Sequence, residues 1–395
     1  MRSILGFVVV SLLVGGCAAA SSGEDSLTTS SAMSRPPPGS GTIVKPPPPP
    51  PLVFNSIGGY AGTPGVSGHD DGPLQSKFVK PTHISSTSNG TTWVIDEDPN
   101  LPNWYDSAMI RVISDTRGGV PGPHVQTVGT LSDAGVYENL GGFVAAENGT
   151  DAYFTSTYEC RIYKFTIGQG STCFTGCGSG GIGGFNGYVD GNSGTALFDV
   201  PSGLAHDSAG NIFVADKNNH AIRIVDSTGT ATTFARDTSW NSSFAPTMLA
   251  VTPAGNLVYA ISGQALYRVT LGQITLVAGS PSTTGYVDGS AASALFQDPK
   301  GVAIDSIGDV YVADSGNQAV RKLFVRTADV ETIPVLTPYS RTAGSDDAYG
   351  PDDAHIEMPF GLAFWGNQLV FSDSSRLTVR RMSPAMPWSP PPKIL

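Results

Sequence analysis

The sequence predicts an all-β fold, a six-bladed β-propeller whose N-terminal strand pairs with the last blade. Three observations predict it: internal copying, strand-length alternation and a turn-rich composition. Residues 285–323 read Gly285-Tyr-Val-Asp-Gly289, Ala294-Leu-Phe-Gln-Asp-Pro299, Gly301-Val-Ala-Ile-Asp305, Asp309-Val-Tyr-Val-Ala-Asp314 and Ala319-Val-Arg-Lys-Leu323. Residues 187–225 repeat this as Gly187-Tyr-Val-Asp-Gly191, Ala196-Leu-Phe-Asp-Val-Pro201, Gly203-Leu-Ala205, Asn211-Ile-Phe-Val-Ala-Asp216 and Ala221-Ile-Arg-Ile-Val225. A looser copy runs through Ile356-Glu-Met-Pro359, Gly361-Leu-Ala363, Gln368-Leu-Val-Phe-Ser-Asp373 and Thr378-Val-Arg-Arg-Met382. A unit recurring about every 50 to 60 residues cannot bury its own apolar face and must stack on its neighbours. The 48 glycines and 30 prolines suit a turn-rich all-β body.

Each copy contains period-two runs such as Val310-Tyr-Val-Ala313 and Val320-Arg-Lys-Leu323. Three strands are readable per copy, and Gln273-Ile-Thr-Leu-Val-Ala278 supplies a fourth. Four antiparallel strands make a propeller blade. Degenerate copies fill the gaps. The first holds Phe78-Val-Lys-Pro81, Thr92-Trp-Val-Ile-Asp96 and Met109-Ile-Arg-Val-Ile113. The second holds Gly142-Phe-Val-Ala145, Ala152-Tyr-Phe-Thr155 and Arg161-Ile-Tyr-Lys-Phe165. The fourth holds Met248-Leu-Ala-Val251, Asn256-Leu-Val-Tyr-Ala260 and Ala265-Leu-Tyr-Arg-Val269. The body opens on Val53 to Ala61, which matches an outer fourth strand, and closes after Thr378 to Met382, which matches a third. The first strand therefore completes the last blade and removes two exposed sheet edges. The pattern resembles the NHL-repeat family over residues 52–384. That resemblance implies the propeller, but such propellers host enzymes, scaffolds and binding proteins alike.

Residues 1–16 read as an export signal, with Arg2 followed by an apolar core too short to span a bilayer. The run Leu12-Leu-Val-Gly-Gly-Cys17 resembles a bacterial lipobox. This implies lipidation of Cys17 and, with Ala18 following, an outer-membrane lipoprotein facing the periplasm or the cell surface. Residues 17–51 read as a disordered Ser/Pro-rich tether, stiffened by polyproline II at Pro36–Pro38 and Pro46–Pro51. Residues 385–395 form a Pro-rich tail. The net charge of -11 comes with only 14% charged residues and no basic stripe, which disfavours nucleic acid.

Cys160, Cys173 and Cys177 lie in one expected hairpin, and a disulfide from Cys160 to Cys173 or Cys177 is expected across adjacent strands. Asp96, Asp216, Asp314 and Asp373 each end a second strand, and Arg111, Arg223, Arg321 and Arg380 follow on the next. A repeated structural ion pair that also locks the turn is expected. Phe78, Phe198, Phe296 and Ile356, each three residues before a proline, read as core packing between blades.

Asp71, Asp190 and Asp288 precede glycines in the blade-to-blade loops. They are turn formers first and weak candidates for calcium. A catalytic propeller, a metal-dependent hydrolase or lyase, would gather His and carboxylates around a channel metal. His83 and His206 are the candidates on the inner strands, at non-equivalent repeat positions. Most channel positions are small or apolar, so the leading expectation is a tethered, non-catalytic propeller without a cofactor, binding a protein or glycan at the cell envelope. Trp104, Tyr105 and Trp240 in irregular insertions are its candidate anchors, because exposed aromatics hold partners or stack on sugars.

Overall fold

Alternating apolar segments punctuated by Asp, Asn and Gly turns fold into six antiparallel sheets. The computed structural model describes residues 54–73, 76–98, 108–117, 120–131, 140–178, 186–239, 242–333 and 355–384. The expected signal, tether and tail lie outside the described residues.

The chain enters through β1 (Phe54–Ala61). Blade 1 comprises β2 (Gly72–Pro73), β3 (Pro81–Ser86), β4 (Thr92–Glu97), β5 (Ala108–Arg117) and β6 (Val120–Thr130). Blade 2 comprises β7 (Leu140–Ala145), β8 (Asp151–Ser156), β9 (Arg161–Thr166) and β10 (Gly170–Thr175). Blade 3 comprises β11 (Pro201–His206), β12 (Ile212–Asp216), β13 (Ala221–Val225) and β14 (Ala231–Arg236). Blade 4 comprises β15 (Pro246–Val251), β16 (Val258–Ser262), β17 (Ala265–Thr270) and β18 (Gln273–Gly279). Blade 5 comprises β19 (Gly289–Ser290), β20 (Pro299–Ile304), β21 (Val310–Asp314), β22 (Ala319–Phe324) and β23 (Asp329–Thr332). Blade 6 comprises β24 (Pro359–Trp365), β25 (Gln368–Asp373) and β26 (Thr378–Pro384), completed by β1.

The closure expected from the sequence is present. β1 runs antiparallel to β26, with Ile57 opposite Met382 and Gly59 opposite Arg380. The inner strands touch in the cyclic order β3, β7, β11, β15, β20, β24 and back to β3. Glycine permits this crowding at the axis. A Cβ on Gly142 would lie 2.6 Å from the Gly203 Cα, and one on Gly203 would lie 2.6 Å from the Met248 Cα. One on Gly361 would lie 2.6 Å from the Ile84 nitrogen. The Gly-x-Ala pattern of the inner strands thus records backbone packed against backbone.

Six apolar clusters occupy the six junctions between neighbouring blades. Phe78, Phe198, Phe296 and Ile356 are all buried in them, as expected. Each cluster draws on two neighbouring blades, so stability is shared through interfaces.

The Asp–Arg pairs are also present. Arg111, Arg223, Arg321 and Arg380 are fully buried. Each reaches the carboxylate at the end of its second strand: Asp96 at 3.1 Å, Asp216 at 2.9 Å, Asp314 at 2.8 Å and Asp373 at 3.3 Å. The other carboxylate oxygen takes backbone N–H groups from the segment leading into the inner strand. Asp199 N–H donates to Asp216 at 2.8 Å, and Gln297 N–H donates to Asp314 at 2.7 Å. Burial pushes the Asp96, Asp216 and Asp314 carboxyls up, while these backbone N–H groups and the arginines pull the other way.

Blades 2 and 4 lack the ion pair, and they lack both halves of it. The strand register places Ser156 and Ser262 where the aspartates stand, and Tyr163 and Tyr267 where the arginines stand. The Ser262 hydroxyl accepts the Ala245 N–H at 2.7 Å, taking over one task of the carboxylate. Losing one member alone would strand a buried charge. Asp216→Ala should therefore destabilise the chain by about 3–5 kcal/mol in urea denaturation. The double change Asp314→Ser, Arg321→Tyr should cost clearly less than the sum of its single changes.

Candidate functional site

The second strands end, and the inner strands begin, on one face of the ring, here called upper. The turns from second to third strand and the blade-to-blade crossovers open onto it. Three of the arginines described above anchor this face, because each also holds an incoming loop. Arg223 donates to Asp190 at 2.7 Å and to the carbonyl oxygens of Val189 and Leu197 at 2.8 and 3.0 Å. Arg321 does the same with Asp288, Val287 and Leu295, and Arg111 with Asp71, Asp70 and Lys77. The Arg223 guanidinium lies 4.9 Å from the Phe198 ring centroid and 5.0 Å from that of Tyr188. Arg321 sits likewise against Phe296 and Tyr286.

These contacts account for three sequence-level metal candidates. Asp71, Asp190 and Asp288 stand in three separate blades, each paired with its own arginine. Their remaining contacts are to the outer strand: Thr127 N–H donates to Asp71 at 2.8 Å and Thr233 N–H to Asp190 at 3.1 Å. His83 lies near the start of β3 and His206 at the far end of β11, so they face opposite ends of the ring. His206 Nδ1 lies 3.0 Å from the Asp207 carbonyl oxygen. The fold does not bring these five residues together. Among the described residues, no group of three or more His, Cys, Asp or Glu side chains is placed to hold a metal ion.

Blade 1 departs from the repeat on the upper face. His69 stands where Tyr188 and Tyr286 stand in blades 3 and 5. Instead of covering the arginine with a phenol ring, it sets Nε2 2.8 Å from Asp98 and Nδ1 3.8 Å from Asp96. Its side chain is 28% exposed. Beside it, Lys80 pairs with Glu97 at 2.6 Å, and the Thr82 hydroxyl donates to Glu97 at 3.1 Å. His83 is buried, with Nδ1 3.2 Å from that hydroxyl and its ring edge-on to Phe360 at 5.2 Å. Burial pushes the His83 imidazole pKa down, which favours the neutral ring. Lys80 and Glu97 keep part of their side chains in solvent. The group therefore offers solvent a hydrogen-bonding edge carrying both charges.

Trp104, Tyr105 and Trp240 lie outside the described residues. The strands that bracket them, β4 with β5 and β14 with β15, meet the upper face. Tyr158 in the β8–β9 turn opens onto the same face, 49% exposed. Sequence reasoning passed over Tyr158 and the His69–Asp98 pair. The available signal was the break in the Gly-Tyr-x-Asp-Gly pattern at Gly68-His69.

The expected disulfide is corrected. Cys173 bonds to Cys177, with Cα atoms 5.9 Å apart, and Cys160 is a buried free thiol. The register of β9 and β10 puts Cys173 opposite Tyr163, beyond reach of Cys160. Cys160 itself sits in the turn before β9 at φ 56°, and its thiol donates to the Thr157 carbonyl oxygen at 3.7 Å. Burial pushes its thiol pKa up, leaving it unreactive. Peptide mass mapping should find Cys160 alkylated only after unfolding, with the Cys173–Cys177 fragment still bonded until reduced.

The NHL repeat family matches residues 198–225 and 296–323, which are the inner three strands of blades 3 and 5 with their leading phenylalanines. Teneurin-1 of Caenorhabditis elegans is 23% identical over 271 residues, covering 57% of this chain and 10% of Teneurin-1. The chain thus spans about a tenth of that relative's length. Among solved structures, an auxiliary nutrient binding protein from Bacteroides ovatus is similar at TM-score 0.59 and 16% identity, covering 85% of this chain and 78% of its own. A protein of unknown function from Bacteroides thetaiotaomicron is similar at TM-score 0.58 and 18% identity, covering 83% and 75%. At such identities the likeness is one of fold. Repeat, register and closure agree: this chain carries NHL repeats and is a six-bladed β-propeller.

Proposed function

We propose that this chain is an exported binding propeller, tethered to a membrane through Cys17 and holding a protein or glycan partner on its upper face. The observation that carries the reading is the break in the repeat on that face, where His69 stands in place of the covering tyrosine. His69 replaces the tyrosine cover with a ring that is 28% exposed and held by the buried Asp98, and Lys80 and Glu97 keep part of their side chains in solvent. Loops on a rigid frame are where binding residues gather. The frame here is a closed ring with buried arginines at the base of its loops. A structurally similar protein is described as nutrient binding, which supports a binding role. Tyr158, 49% exposed, supplies aromatic surface for a partner, and Trp104, Tyr105 and Trp240 are the anchors we assign with it. The reading needs no cofactor, and the carboxylates with the best claim on calcium are engaged by arginine.

Two measurements test it. The full chain used as bait should capture an envelope protein or a glycan. The triple change Trp104→Ala, Tyr158→Ala, Trp240→Ala should weaken that capture at least about 30-fold while leaving the melting temperature unchanged. Capture unchanged by the triple substitution would remove the upper face as the site. Titration with millimolar calcium should give no heat in a calorimeter, and a saturable heat would return Asp71, Asp190 and Asp288 to candidacy.

A further inference from the structure

β1 seals the ring, and its direction decides how the seal meets a load. Strand β25 ends on the upper face at Asp373. β26 starts opposite it at Thr378 and runs toward the other face, here called lower. β1 is antiparallel to β26, with Phe54 opposite Pro384 and Ala61 opposite Val379. β1 therefore starts at the lower face and climbs to the upper one. Residues 1–53, which carry Cys17, lead into the lower end of this seam.

Hydrogen bonds between antiparallel strands lie perpendicular to the strands. A pull along β1 strains every bond of the seam at once. A pull across its lower end opens them one after another, Phe54–Pro384 first. Side chains reinforce the upper end. Tyr60 and Ala61 are buried in the cluster that joins blades 6 and 1, beside Phe78 and Val379. The Arg381 guanidinium lies 4.8 Å from the Tyr60 ring centroid. Just beyond β1, Gly62 N–H donates to the Ser76 hydroxyl at 3.1 Å and Gly65 N–H to the Arg376 carbonyl oxygen at 3.1 Å. The reinforced end is thus the one farther from the incoming chain. Sliding by one residue would turn Tyr60 and Ala61 to the wrong faces of the sheet, so the register resists creep.

We propose that β1 is a shear clasp, a closure strand set to hold when the propeller is pulled between its N-terminal tether and a partner on its upper face. The source of that load rests on the tethered binding reading above, while the direction of the seam stands without it. Tension from the tether enters at the lower end of β1, and a partner pulls from the opposite face. The force therefore runs along the strand and loads the seam in parallel. The same seam is weak when both of its lower ends are drawn apart, a geometry the tether does not impose. Loss of β1 would strip blade 6 of its outer strand and open the junction that Tyr60 and Ala61 fill, so the clasp guards the whole ring.

Single-molecule pulling on the full chain, produced without export so that Cys17 is unlipidated, tests the clasp. Cys17 takes one handle, since Cys160 is buried and Cys173 is bonded to Cys177. In Ser375→Cys the second handle sits in the exposed β25–β26 turn on the upper face and shears the seam. In Leu395→Cys it follows the lower end of β26 and peels the seam. At one loading rate the first rupture should need at least about twofold more force in shear than in peel. Tyr60→Ala should lower the shear force and leave the onset of peeling unchanged. Should Tyr60→Ala fail to fold, the comparison of the two handle positions decides alone. Equal forces in the two geometries overturn the inference, and so does a shear force that Tyr60→Ala leaves unaltered. A chain that captures no partner yet shows the force difference loses the binding reading and keeps the clasp.

Discussion

A guanidinium removed from water needs acceptors gathered around its terminal nitrogens, and that demand organises the upper half of this propeller. Arg111, Arg223 and Arg321 each find two carboxylates and two backbone carbonyls. The two acids come from different places. One ends the second strand of the blade, and the other sits in the loop arriving from the preceding blade. A single side chain on the third strand thereby ties a turn, a crossover and an outer strand together. The geometry suits arginine, whose planar fork serves several acceptors at once and whose faces stack on aromatic rings.

The same demand explains the exceptions. Blades 2 and 4 substitute Ser and Tyr for Asp and Arg together, because a half-removed pair leaves an uncompensated charge in a dry place. Without the arginine there is nothing to hold an Asp-Gly loop over the outer strand. Blade 1 keeps the arginine and both aspartates but exchanges the covering tyrosine for His69. That exchange costs an aromatic contact and gives the upper face a polar group. Function in a repeat protein is expected where the repeat is broken without loss of the frame, and blade 1 meets that description.

Much of this was legible in the sequence because each feature recurs in register. Repetition located the blades, the phenylalanines before the prolines located the junctions, and the unmatched first and last strands implied closure. The Asp–Arg pairing across the second and third strands was legible for the same reason. The second aspartate was visible as a turn former and a calcium candidate but not as an arginine partner, since the distance between Asp190 and Arg223 along the chain conceals their contact. The disulfide was misassigned for a local reason. Cys160 and the other two cysteines share a hairpin, but Cys160 is left-handed and its thiol bonds within its own turn, while Cys173 stands opposite Tyr163. Backbone handedness at a single position is not written in composition or spacing.

Sequence alone determined the architecture, because apolar period, turn chemistry and repetition are local properties that add up along a chain. It determined the number of blades and the strand that seals them. Only the tertiary structure decided which polar groups meet. The pairing of loop aspartates with arginines, the His69–Asp98 contact and the free Cys160 all depend on how segments distant in sequence are set against one another. A hydrogen bond is made or lost over less than an ångström, and that precision exists only once the ring has closed.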